Sequence, residues 1–296
     1  MVVICKPMDF SKVTGLLELL DDPDEQIYDQ IAGEIQALGP DVIPYLENYW
    51  EESTDELAIM RAQHLIELIS SSVCQSQLKT WIDLGASNLL KGALLVAKCQ
   101  YPNLDEKKIH EEIEKIRQDI WIELNDKLTG LEKVAIVNRI LFDFYGFEGN
   151  REDYYSPKNS FINKVLDQRA GTPLSIGILY IVICQSLDIP VVGVNLPHHF
   201  ILAFKDDDDF PIMDEELAEP GILFYINPFN KGSIFGKPEV KDFLKQNNVE
   251  AQPKYFQACS SKDIIKRMIN NLVVAFQKEE KPTAAAKFLE LLKVFV

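Results

Sequence analysis

The sequence predicts an α+β protein, with an all-helical N-terminal region ahead of a domain in which a central helix packs on an antiparallel sheet. Three observations carry this. Apolar residues recur at helical spacing through most of the first half, and an unbroken apolar stretch opens behind Gly171-Thr172-Pro173. Three short β-rich runs then follow one another, separated by turn-forming or acidic segments. A helix followed by a meander lacks the strand-helix alternation of a parallel sheet.

The first helix signal is Asp22-Pro23-Asp24-Glu25, a cap with a proline and acids in the first turn. Ile27, Ile31, Ala32, Ile35 and Leu38 follow at helical spacing until Gly39-Pro40 stops them. Val42, Ile43, Tyr45 and Leu46 begin another short helix, and Ser53-Thr54-Asp55-Glu56 opens a longer one whose stripe reads Leu57, Met60, His64, Leu65 and Leu68. Leu16 to Asp24 and the corner from Gly39 to Pro44 resemble HEAT-type paired helices. That implies a weakly HEAT-like region over residues 1–85, followed by a second domain over 86–296.

From Leu89 to Tyr145 the pattern stays helical with one break, at Tyr101-Pro102-Asn103. Within it Ile109, Ile113, Ile116, Ile120 and Leu124 mark an amphipathic helix. Tyr145 to Ser160 reads as a loop rich in Gly, Asn, Asp, Tyr and Pro. The central helix is expected from Leu174 to Leu187, and strands at Val191 to Leu196, Phe200 to Phe204 and Ile222 to Ile226. A capped helix starts at Ser260-Ser261-Lys262-Asp263 and buries Ile264, Ile265, Met268, Ile269, Leu272 and Phe276. Thr283 to Val296 adds a last one.

Composition narrows the function classes. Thirty Lys plus Arg stand against 46 Asp plus Glu, a net charge of −16 that repels phosphate backbones and anionic lipid, so neither nucleic acid nor membrane is an expected partner. There is no apolar run of transmembrane length and no secretory signal at Met1 to Phe10, which makes the cytoplasm the expected location. Five scattered cysteines without a C-x-x-C pair indicate reduced thiols and no zinc site. No metal or nucleotide motif is present, so no cofactor is expected. The acids at Asp206 to Asp209, Asp214, Glu215 and Glu216 lack the alternation of a calcium loop and read as a solvated hairpin tip.

The chemistry-bearing block runs from Asn159 to Gly232. Asn159-Ser160-Phe161-Ile162-Asn163-Lys164-Val165-Leu166, Arg169-Ala170-Gly171-Thr172-Pro173-Leu174-Ser175, Leu196-Pro197-His198-His199-Phe200 and Tyr225-Ile226-Asn227-Pro228-Phe229 stand in that order. Together they resemble the transglutaminase-like superfamily, in particular its bacterial SirB-type branch, from about Leu89 to Phe276. The resemblance implies a papain-like domain with a cysteine at the start of the central helix, a histidine on the next-but-one strand and an acid on the strand after. Ser175, His199 and Asn227 occupy those places here. Arg169, Thr172, Pro173, His198 and Pro228 flank the implied cleft.

Each residue also has a plain structural reading. Ser175 falls third after an N-cap at Thr172, where serine bonds local backbone. His199 reads equally as a hydrogen-bonded histidine at a strand end, and Cys184 as a buried thiol. Arg169 either recognises a carboxylate or pairs with a nearby acid to lock its loop. Tyr154, Tyr155, Phe161, Phe200, Tyr225 and Phe229 read as an aromatic wall or as core.

Two functions follow from these readings. One is a non-catalytic or regulatory domain whose cleft binds a peptide or protein partner, with the N-terminal helices as a further surface. The other is a serine-dependent amide or ester hydrolase or acyl-transferase. In that enzyme Ser175 attacks, His199 is the base, Asn227 orients it, and amides near Leu174 to Ile176 form the oxyanion hole.

Overall fold

The computed structural model describes residues 10–205 and 221–296. The acidic run from Asp206 to Glu216 therefore lies outside the described residues. The chain divides into two compact units, Met1–Gln77 and Leu78–Val296, with the border inside a long helix.

In the first unit α1 (Phe10–Leu17), α2 (Glu25–Ala37), α3 (Ile43–Glu52) and the start of α4 (Glu56–Asp83) surround a core containing Leu20, Ile35, Leu46 and Leu65. Asp24 caps α2 by accepting from the Gln26 amide, two residues after the expected cap at Asp22, so Pro23 precedes the helix and does not open it. Gly39 at φ +76 and Pro40 then turn the chain. The buried stripe of α4 is Ala58, Ala62, Leu65 and Ile69, whereas Met60 is 59% and Leu68 40% exposed. The observed stripe is rotated by about one position from the expected one, because Ala58 and Ala62, and not their bulkier neighbours, face the core. Alanine buries less area per residue, yet it lets helices approach closely.

The second unit opens with α5 (Leu89–Gln100), buried on most of its surface, and α6 (Glu106–Trp121), whose buried positions are Ile109, Ile113, Ile116 and Ile120. The chain breaks again before α7 (Gly130–Asn138), where Thr129 and Glu132 form a reciprocal capping box. This second interruption leaves no mark in the periodicity, since Thr129-x-x-Glu132 sits inside an otherwise helical composition. A π-helical turn, Arg139–Phe144, ends the segment.

Next come β1 (Glu148–Gly149), α8 (Ile162–Gln168) and β2 (Ala170–Gly171), β1 and β2 pairing in parallel. The central helix α9 (Pro173–Gln185) follows. Eleven of its residues are buried, so it has no polar face. The antiparallel sheet runs in the order β3 (Val191–Leu196), β4 (His199–Lys205), β5 (Ile222–Asn227) and β6 (Ser233–Phe235), one strand more than the sequence predicts. At three residues, β6 is too short to show a period. α10 (Lys237–Gln246), α11 (Ser261–Lys278) and α12 (Pro282–Leu292) complete the unit.

α9 packs on β3 and β4, and the close approach depends on glycine. A Cβ at Gly177 would stand 2.7 Å from the Phe200 ring, and one at Gly193 would stand 2.6 Å from the same ring. Among the described residues no helix is long and apolar enough to cross a membrane.

Candidate functional site

Three turns carry the predicted residues. At the first, Thr172 caps α9 with Pro173 as the first helical residue, and its hydroxyl accepts from the Ser175 amide at 3.1 Å. The Ser175 hydroxyl closes the box in return, accepting from the Thr172 amide at 2.9 Å and donating to the Asn159 carbonyl at 2.5 Å. The Ile176 amide bonds the Thr172 carbonyl at 3.1 Å. Ser175 is 2% exposed, and the hydrogen bonds of its hydroxyl and amide run to Thr172 and Asn159. A Cβ at Gly171 would fall 2.5 Å from the Ser175 Oγ, so only glycine lets the chain pass here.

Asn159 organises this corner from below. Its Oδ1 accepts from Asn150 and from Gln168, each at 3.0 Å, and its Nδ2 donates to the Asp153 carbonyl. The irregular stretch before α8 is thereby bound to the start of the central helix. Arg169, in the left-handed region at φ +55, turns away from this corner. It bonds Glu112 and lies over the Phe147 ring at 4.8 Å, so it pairs with an acid and locks its loop.

At the second turn Pro197 and His198 link β3 to β4, with Leu196 opposite His199. His198 is exposed and holds φ +60, the second turn position that follows a proline in a type II arrangement. His199, half-buried, opens β4, and its ring stands 5.7 Å from that of Phe243. At the third turn Asn227 ends β5, and its Oδ1 accepts from the Phe229 amide at 3.0 Å, opening a helical turn over Pro228–Asn230.

His199 and Asn227 are brought together, near enough for the Asn227 side chain to favour the charged form of the imidazole. Burial outweighs this, and with the nearby Arg267 cation it holds the His199 pKa below the ordinary 6.5. A base whose pKa is lower folded than unfolded binds fewer protons in the native state. Its contribution to stability is present above about pH 6.5 and is lost as pH falls through 6.5 toward the folded pKa. Urea denaturation is expected to show stability declining below that pH, with a smaller decline in His199→Gln; identical slopes in the two proteins would refute the assignment.

Arg267 of α11 holds the second turn closed. Its guanidinium donates to the carbonyls of Leu196 at 2.8 Å and His199 at 2.9 Å, and to Asn195 Oδ1 at 3.1 Å. No described carboxylate is among the groups that act on it, and burial lowers its pKa. Neither Arg267 nor Asn159 was singled out by sequence reasoning. Arg267 flanks the apolar stripe of α11, where an arginine looks like any surface residue, and Asn159 showed only as the first residue of a motif.

α9 packs against β4 and against the Pro228–Asn230 turn, so the three turns adjoin one another. Beside them a cavity of about 620 Å³ opens, with Gly149, Gln168, Ala170, Phe229 and Lys231 in its walls. The proposed aromatic wall is not one surface. Phe161, Phe200 and Tyr225 are core, whereas Tyr154 meets Phe229 edge-on at 5.9 Å and is 39% exposed. Burial raises the pKa of the Cys184 thiol, and pushes that of Cys259 up to about 12. Among the described residues no cluster of three or more metal-ligating side chains occurs.

A family profile described as the transglutaminase-like superfamily matches residues 107–270, a little over half of the chain. A UPF0162 protein of Xylella fastidiosa is 27% identical over 205 residues, covering 67% of this chain and 68% of the relative. One from Vibrio cholerae is 28% identical over 217 residues, covering 72% and 76%. F-box only protein 21 of Mus musculus is 30% identical over 146 residues, 48% of this chain and 22% of that one. No solved structure matches the chain.

Proposed function

This chain belongs to the transglutaminase-like superfamily, and on that premise we propose that it is a non-catalytic member of the bacterial SirB-type branch, acting in the cytoplasm, whose cleft binds a peptide or protein partner. The observation that carries the reading is the Ser175 hydroxyl, whose proton goes to the Asn159 carbonyl and not to an imidazole. A serine nucleophile needs its proton accepted by a base, since an alcohol is too weakly acidic to ionise at a helix terminus. The amides that an oxyanion hole would use are also engaged, those of Ser175 and Ile176 both being bonded to Thr172.

The binding half of the proposal is supported by the cavity beside these turns. Its walls mix charges of both signs, Glu148 and Glu152 with Arg151 and Lys231, around the Phe229 ring. Such a lining suits a polar main chain carrying an occasional aromatic or aliphatic group better than a uniformly charged ligand. The bacterial UPF0162 relatives support the branch, and the match within a much longer F-box protein supports a module that works as part of a larger protein.

A fluorophosphonate probe is expected to leave Ser175 unlabelled, and Ser175→Ala to cost about 1–3 kcal/mol of stability by stranding buried backbone groups. Labelling at Ser175 that disappears in His199→Ala would instead establish a serine enzyme and overturn the proposal.

A further inference from the structure

In the first unit a groove of about 410 Å³ opens between the end of α2 and the middle of α4. Pro40, Leu68, Ile69 and Val73 give it apolar walls, Gln36 and Ser72 add uncharged polar groups, and no lining residue carries a charge. The groove continues along α4 as an uncovered stripe. Met60, His64 and Leu68 follow one another at four-residue spacing and are all exposed, on a different face of the helix from Ala58, Ala62 and Leu65, which are buried in the core of the unit. Periodicity marks these residues as a packing stripe, and the fold of the unit leaves them without packing. A face with this spacing, ending in an apolar groove, matches the side of another helix.

Charge decides which helix. Met1–Gln77 holds fifteen Asp plus Glu against three Lys plus Arg, so about a quarter of the sequence carries most of the net charge of −16. From Val13 to Leu78 the one base is Arg61, which is buried and donates to the carbonyls of Leu20 at 3.0 Å and Asp22 at 2.6 Å. Exposed carboxylates adjoin the groove, Asp41 directly after Pro40 and Glu67 directly before Leu68. A second copy of the chain would set negative charge against negative charge, and phosphate backbones and anionic lipid are repelled in the same way. A small cation would leave the apolar face unused. The surface is complemented by a ligand that is apolar along one side and cationic around it.

We propose that the exposed face of α4 and its groove form the docking site for an amphipathic helix of a partner protein, apolar on one side and flanked by Lys and Arg. Its apolar side enters the groove beside Leu68 and Val73 and follows α4 toward Met60, while its cations meet Asp41 and Glu67. The proposal uses no residue of the three turns, so it stands apart from the reading of Ser175, His199 and Asn227.

The test is fluorescence anisotropy of a labelled amphipathic Leu/Lys peptide titrated with the full chain, beside Leu/Glu and Ser/Lys peptides of the same pattern. The Leu/Lys peptide is expected to bind about tenfold or more tightly than either of the others, and to weaken as salt is raised. Leu68→Gln, which alters an exposed residue and no charge, is expected to weaken binding by about fivefold or more. Leu289→Gln, at an exposed leucine of α12, is expected to leave it unchanged. Should Leu68→Gln lower the urea midpoint, the double variant Asp41→Lys with Glu67→Lys keeps the groove and is expected to weaken binding by about tenfold. Equal binding of the Ser/Lys peptide would reduce the effect to charge alone, and equal binding of the Leu/Glu peptide would remove charge from it; either overturns the proposal. So does undiminished binding in Leu68→Gln or in the charge variant, an equal loss in Leu289→Gln, or a dimer of the free chain that Leu68→Gln dissolves, which would make the occupant a second copy.

Discussion

Gly232→Ala is expected to lower the unfolding free energy by about 3–5 kcal/mol, and the reason lies 94 residues away in sequence. Gly232 sits at φ +69, where an alanine is strained by roughly 1–3 kcal/mol. Its Cβ would also stand 2.0 Å from Asn138 Oδ1 and 2.3 Å from the Asn138 Cγ. Asn138 has nowhere to go without loss. Its Nδ2 donates to the Gly232 carbonyl at 2.8 Å, and its Oδ1 accepts from the Tyr180 hydroxyl at 3.0 Å. Tyr180 is fully buried at the centre of α9, so displacing Asn138 strands a hydroxyl at a cost of about 1–3 kcal/mol. Gly146→Ala provides the comparison: φ is +72, but no atom lies within 4 Å of the new Cβ, so about 1 kcal/mol is expected. Equal shifts of the two urea midpoints would mean that backbone strain, and not the Asn138 network, makes Gly232 necessary.

The second large effect concerns Arg267→Met. Three acceptors lose their donor, the Leu196 and His199 carbonyls and Asn195 Oδ1. Hydrogen bonds from a charged donor contribute about 1.5–3 kcal/mol each. Against that loss, methionine relieves the desolvation of a half-buried cation that has no described carboxylate partner. Partial exposure and shared geometry reduce the sum, and a net destabilisation of about 3 kcal/mol is expected. The same variant removes a positive charge beside His199, so the imidazole pKa is expected to rise toward its ordinary value. An NMR titration of the His199 ring separates the two effects. A purely structural role for Arg267 would lower the stability and leave the titration where it is, whereas Arg267→Lys should keep the low pKa while losing the forked hydrogen bonding.

These two positions also show where sequence reading stops. Gly232 follows a visible turn signal, so a glycine with positive φ is unsurprising there. Nothing local announces that Asn138 fills the space its Cβ would need. Arg267 reads as the polar edge of an amphipathic helix until α11 is laid beside the β3–β4 turn. The rotated stripe of α4 has the same origin, since periodicity marks a helix but does not say which neighbouring positions meet a partner. The missing strand β6 and the unexpected break before α7 are different failures, being elements too short or too well disguised to leave a period.

By itself the sequence determined the capped start of α9 behind Thr172-Pro173, the first three strands after it, and the spacing that sets Ser175, His199 and Asn227 on three turns. Caps, proline and glycine stops and residue periods are properties of adjacent residues, so they can be read along the chain. Only the tertiary structure decided where the Ser175 proton goes and which acceptors Arg267 holds. Each depends on a group 16 to 72 residues distant. A hydrogen bond forms only when folding has brought donor and acceptor within about 3 Å, and chain order does not specify that distance.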